Sequence, residues 1–351
     1  MYRKDKLLAN VAGLADAHTD FYLIERIFNQ MSSSVSIGLM KRDRLNYEFY
    51  GGKRFNSAGA DSHINRRTRF NMGTASMPIT GSLIIKLMEF GEIRLNDKVK
   101  RFIPEFNFPD VEVFHLLTHT SGLAFNSFPQ PVDYSSKKAF FKQIYNYNSF
   151  SYETGTESRL FPYGYAILAD IVERMSGQTI EEFASALVFM PIGMRNTTYG
   201  SVSLRDDQFI VPWSHKENRF LTETKNHLST GYSGVFTTVL DLLKFGQMLL
   251  NGGESNGRQV FLESTVNFIL KEITSDRFMR TPLFMINSRG NNYGFFAKYQ
   301  SHKTIAHTGD TGSLFFVDPV SRTVGAALTN STWVNDSSRN YGNICEILSN
   351  M

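Results

Sequence analysis

Strand-like patterning at both ends of the chain, with helical patterning between, is what most restricts the folds open to it. Near the N-terminus, VSIGLMKRDRLNYEFYGGKRF reads as two strands joined at a charged turn around Lys41 to Arg44, with Gly51 and Gly52 as a bulge or a strand end. Toward the C-terminus, NYGFFAKY, KTIAHTG, SLFFVDP and TVGAALTN read as further strands. Strands far apart in sequence that each have one face to bury imply an α+β class. One antiparallel sheet is expected, formed by N- and C-terminal segments packed with helices, plus a mainly helical region between them.

The helical segments are equally legible. Residues 16–31 place Phe21, Leu23, Ile24, Ile27 and Phe28 at helical spacing. Leu83, Ile84, Leu87 and Met88 predict a helix from Thr80 to Phe90, closed by Gly91. A second helix is expected from about Tyr163 to Met175 with Gly177 as its cap, a third over LDLLKFGQMLLNGG, and a last one over NYGNICEILSNM. The expected organisation is a single domain over 1–351, with 1–60 and 210–351 forming the sheet subregion and 61–209 the helical one.

Composition excludes more than it selects. With 42% apolar and 20% charged residues, the 351-residue chain belongs with ordinary globular proteins. Its formal net charge of +4 is spread without a long basic block, so nucleic acid is not an expected partner. No apolar run approaches the roughly 20 residues of a membrane helix, and no signal peptide is visible. A cytoplasmic protein without membrane contact is expected. The single cysteine, Cys345, has no disulfide partner, and no His/Cys/Asp/Glu cluster has metal spacing; no metal or cofactor is expected. The oligomeric state is not legible.

The stretch FNMGTASMPIT, residues 70–80, is a Gly-marked turn feeding a periodic helix. With HLLTHTSGL, then TGTESRLFPYGYAILADIVERMSG, then YSGVFTTVLDLLKFGQMLLNGG and HTGDTGSLFFVDPVSRTVGAALTN, it resembles in order the motifs of the serine β-lactamase and penicillin-binding-protein-like superfamily, in its class C and esterase-like branch. The resemblance covers roughly residues 15–350 and implies that family's fold.

The resemblance also implies where chemistry should reside, and those positions have changed. The first motif, S-x-x-K, pairs a nucleophile with a base one helical turn later. Here Thr74 stands for the serine and Met77 for the lysine, so the base is a thioether. The second motif, Y-x-N, falls on Leu160, Phe161 and Pro162, where neither polar group survives. The third remains as His307, Thr308 and Gly309. By the resemblance, the N–H of Asp310 would pair with that of Thr74 as an oxyanion hole.

Two readings stand for each candidate. Thr74 is either a helix-capping hydroxyl or a residual nucleophile, and His307 either a base or a wall of the pocket. Tyr163 is a candidate hydrogen-bond donor. Met77, Leu160, Phe161 and Pro162 either line an apolar pocket or fill an abandoned one. The expected function is therefore a groove repurposed for non-acylating chemistry on a small or apolar substrate, such as a tailoring or cyclisation step. The alternatives are an inactive pseudoenzyme that binds a ligand or partner, and a weak esterase or amidase using Thr74 and His307. A filled pocket favours the pseudoenzyme.

Overall fold

A computed structural model describes residues 34–54, 62–123, 132–147, 149–200, 209–214, 219–220, 228–274, 278–288, 294–332 and 338–350. The helix expected over 16–31 lies outside these residues.

The central element is a seven-stranded antiparallel sheet. Its strands are β1 (Ser34–Lys41), β2 (Arg44–Arg54), β3 (Ser62–His63), β4 (Met285–Ile286), β5 (Ile305–Thr308), β6 (Leu314–Asp318) and β7 (Thr323–Thr329). Their spatial order is β4-β5-β6-β7-β1-β2-β3, so the two ends of the chain meet where β1 pairs with β7, from Val35 opposite Thr329 to Lys41 opposite Thr323. Arg42 and Asp43, both at positive φ, make the turn between β1 and β2. The irregularity in that pairing falls between Leu39 and Met40 and not at Gly51 and Gly52, which lie within β2.

Period-two alternation sorts the side chains of the sheet between two cores. Val35, Ile37 and Leu39 of β1 share one cluster with Ile344, Cys345 and Leu348 of the C-terminal helix. The opposite face, with Val324, Ala326 and Leu328 of β7, joins the main core. The helix over Val239–Leu250 lies against that face, and Gly38 permits it: a Cβ there would press into Leu243 and Val239.

The described part of NYGFFAKY, residues 294–299, forms no strand. Among its described residues Phe295 and Ala297 are buried, but the Gln300 N–H closes a turn onto the Ala297 carbonyl, and the Gln300 side chain accepts from the Ala297 N–H. The edge position is taken by Met285 and Ile286, opposite Ala306 and Ile305.

Two helices organise the region between the strands. Helix α1 (Met77–Glu89) starts three residues earlier than its apolar spacing predicts, because Pro78 suits a first turn, where no intrahelical N–H bond is owed. It is buried continuously from Met77 to Leu87, as befits a central helix. Helix α2 (Pro162–Ser176) likewise opens on a proline and ends at Gly177 in the left-handed conformation.

Candidate functional site

The 3₁₀ turn Gly73–Ser76 delivers the chain into α1, and the third-motif segment closes over it from β5. Gly309 makes this approach possible. A Cβ at that position would overlap the Met72 carbonyl and crowd the Ala75 N–H, so the two backbones could not otherwise lie side by side. The junction is fixed by hydrogen bonds: the Thr311 hydroxyl donates to the Asn71 carbonyl at 2.7 Å, the Asn71 side chain accepts from the Gly73 N–H at 2.8 Å, and the Tyr341 hydroxyl donates to the Gly309 carbonyl at 2.7 Å.

At the mouth of this junction Thr74 and Asp310 engage each other reciprocally. The Thr74 N–H donates to Asp310 Oδ1 at 2.8 Å, and the Asp310 N–H donates to Thr74 Oγ1 at 3.2 Å. These are the two N–H groups expected to form an oxyanion hole. Each is instead occupied by the side chain of the other residue. Gly73, at φ +54°, accommodates the arrangement, since a side chain there would collide with Asp310 Oδ1.

Thr74 consequently does not cap the helix. No side-chain cap bond is made at either end residue, Met72 or Ser76, and the Thr74 hydroxyl is turned toward Asp310. Ser76 has its own structural bond, accepting from the Val235 N–H at 3.1 Å.

His307 is 4% exposed, and its Nδ1 lies 2.8 Å from the Thr308 carbonyl. Only a protonated Nδ1 can donate to that oxygen, so the neutral ring carries its lone pair on Nε2. Burial, assisted by the positive charge of Arg280, lowers its pKa to about 4, against the smaller opposing effect of the Thr308 hydrogen bond. His119 is also buried. Its Nδ1 accepts from the Phe161 N–H at 3.3 Å, and burial, Arg280 and His307 hold its pKa well below the usual range. Both imidazoles are neutral near pH 7.

The three residues singled out for catalysis are not linked: no hydrogen bond joins any two of Thr74, His307 and Tyr163. Tyr163 is 1% exposed, its hydroxyl 3.4 Å from that of Tyr134, which lies 2.9 Å from the Tyr232 hydroxyl. Its ring packs edge-on against Phe140, Phe161 and Tyr232. Met77 and Phe161 are buried in the same core and Pro162 is buried as well, whereas Leu160 is 50% exposed. Met77 and Pro162 are thus packed inside, and Leu160 faces outward.

Sequence reasoning named Asp310 for its backbone and missed its carboxylate, although an acid directly after H-T-G was a readable signal. It also missed Tyr134 and Arg280, which lie in no quoted stretch, and Ser158 and Tyr232, which lie in quoted stretches but were given no role. Among the described residues no group of three His, Cys, Asp or Glu side chains is placed to hold a metal, and no helix is long and apolar enough to cross a membrane.

Similar proteins place this arrangement in context. A class C beta-lactamase shares the fold with a TM-score of 0.77 at 17% identity, covering 95% of both chains. A penicillin-binding protein homolog from Caulobacter crescentus gives 0.75 at 17% identity, over 96% of this chain and 98% of the other. Among sequence relatives, a putative D-alanyl-D-alanine carboxypeptidase of Escherichia coli (strain K12) is 23% identical over 295 residues, 72% of this chain and 67% of that protein. Penicillin-binding protein 4* of Bacillus subtilis (strain 168) is 27% identical over 208 residues, 53% of this chain. The chain spans only 46% of the length of that second relative. A family model described as Beta-lactamase matches residues 23–343, and the chain belongs to the beta-lactamase family.

Proposed function

We propose that this chain forms no acyl-enzyme and acts by non-covalent recognition in the groove between the first and third motifs. The observation that carries the reading is the reciprocal Thr74 and Asp310 pair. An oxyanion hole accelerates acyl transfer because preorganised donors meet negative charge as it develops. Here a carboxylate already sits on one donor, and its charge opposes any second anion at the same place. The hydroxyl on the other donor has no base bonded to it: the lysine position is an apolar thioether in the core, and no hydrogen bond joins His307 to Thr74.

The same features argue against a weak hydrolase built from Thr74 and His307, since removing the members of a catalytic unit removes most of its acceleration. They also favour binding over repurposed chemistry. Neither buried histidine nor the phenol cluster makes a hydrogen bond to Thr74, whose side chain and amide are both engaged with Asp310, so no general acid or base is held on its hydroxyl. The peptidase activity in the name of the Escherichia coli relative is accordingly not extended to this chain.

The test is turnover. A chromogenic ester and a chromogenic cephalosporin are offered to the natural chain and to Thr74→Ala. Equal rates, at the buffer background, are expected; a rate that depends on Thr74 would sink the reading.

A further inference from the structure

Lys41, Arg42 and Arg44 frame the turn between β1 and β2, and the pairing of the two strands sets Lys41 directly opposite Arg44. Side chains opposite one another share a face of the sheet, where like charges repel. On the other side of β1 the same row continues through Thr323 of β7 to Asp318 of β6. Leu39, two residues before Lys41, lies on that face as well and is buried with the C-terminal helix (Ser338–Asn350). The helix ends at this level, with Ser349 in its last turn, and the final row of the sheet borders a cleft of about 650 Å³. Tyr299 and Gln300 supply a further wall.

Among the described residues, none of these three cations has an ion-pair or hydrogen-bond partner for its side chain. The acid of the turn, Asp43, is held by Arg322 at 2.8 Å. Asp318 is buried and committed: it accepts from the Ser301 N–H at 3.0 Å, the Ser301 hydroxyl at 2.6 Å, and the Val320 and Ser321 N–H groups at 2.9 and 3.3 Å. Burial lowers the pKa of Lys41, and no carboxylate pulls it back. Two more polar atoms of the wall, Gln300 Nε2 and Ser349 Oγ, are buried without a hydrogen-bond partner among the described residues, and the Cys345 thiol beside Gln300 is a weak acceptor.

Three positive charges against the one negative charge of Asp318 leave an excess that a phosphate monoester matches, at about 1.5 to 2 negative charges near pH 7. The guanidinium forks of Arg42 and Arg44 suit phosphate oxygens through paired hydrogen bonds. Tyr299 is 66% exposed at the mouth, with Lys298 Nζ 5.7 Å from its ring centre, and it offers a flat face on which a planar ring can stack. The cleft lies at the end of the sheet away from Gly309, since β5 runs from Ile305, near this row, to Thr308 at the junction with the first motif. We propose that it is a second binding site, separate from the groove, and that its ligand is a phosphate monoester bearing a planar aromatic ring, the chemistry of a mononucleotide.

Isothermal titration of the full chain compares adenosine monophosphate and phenyl phosphate with adenosine, inorganic phosphate and a phosphorylated tetra-adenylate. The two monoesters are expected to bind, with adenosine and inorganic phosphate at least about tenfold weaker. Arg44→Gln should lose at least about tenfold in affinity for both monoesters. It should melt no lower than the natural chain without ligand, because it removes a like-charge pair. Tyr299→Ala should bring both monoesters down to the affinity of inorganic phosphate. No binding of either monoester, equal affinities for monoesters and inorganic phosphate, or monoester affinity that survives Arg44→Gln would each overturn the proposal. Tighter binding of the tetra-adenylate would overturn it in favour of nucleic acid. A marked fall in the unliganded Tm of Arg44→Gln would do so too, by making the cations counter-charges for the carbonyl end of the C-terminal helix. None of these readouts depends on the chemistry at Thr74.

Discussion

Thr74 and Asp310 each hold the other's backbone: the amide of each donates to the side chain of its partner, at 2.8 and 3.2 Å. Residues 236 apart in sequence thereby occupy each other's backbone donors. Asp310 is exposed, so water screens the contact and its contribution is modest. Asp310→Ala is expected to cost about 1 kcal/mol or less in denaturant melts. It should not create ester hydrolysis, because freeing the donors supplies no base. A hydrolytic rate appearing in Asp310→Ala alone would show that the carboxylate is the sole block.

The core around Met77 gives a second prediction. Met77 is fully buried at the start of α1. Met77→Lys places an unpaired charge there and is expected to lose about 3 to 5 kcal/mol, whereas Met77→Leu, which nearly conserves volume, should lose less than about 1.5 kcal/mol. Urea melts compare the two. Equal, small losses would mean that a polar cavity persists beside Thr74.

Acid should weaken the fold through its buried histidines. An unfolded histidine titrates near 6.5, and His307 in the fold near 4. Between those values the unfolded chain binds a proton that the native chain refuses. The stability contributed by a neutral His307 is therefore complete above about pH 6.5, drains as pH falls toward about 4, and is constant below. The loss is on the order of 3 kcal/mol. His119, depressed in the same direction, adds to it. Melts of His307→Gln across this range should show a shallower slope than the natural chain; an unchanged slope would assign the acid sensitivity elsewhere.

Much of this was legible because it depends on patterns that burial imposes. Alternation in the N- and C-terminal runs determines which face of β1 meets the helix over Val239–Leu250 and which meets Ile344 and Leu348, and glycines mark where elements approach closely. Illegible were properties that depend on where a side chain ends. A carboxylate at Asp310 could equally have faced solvent, Thr74 could have capped α1, and nothing in the residues around Arg280 signals that its partner is Ser158, 122 positions away. The run NYGFFAKY misled because strand propensity is weaker than a turn closed by the Gln300 side chain.

Gly309 tests the closeness of the junction directly. Since a Cβ there meets backbone atoms of Met72 and Ala75 and not a flexible side chain, Gly309→Ala must separate the two segments. A loss of about 1 to 3 kcal/mol is expected, together with faster hydrogen exchange at the Thr74 amide. A neutral substitution would contradict the packing described.

The most direct measurement of the central claim is the intact mass of the protein after incubation with activated esters, thioesters and β-lactams, compared with Thr74→Ala. The account predicts no stoichiometric adduct on either chain. A single adduct on the natural chain that is absent from Thr74→Ala would establish Thr74 as a working nucleophile and contradict it.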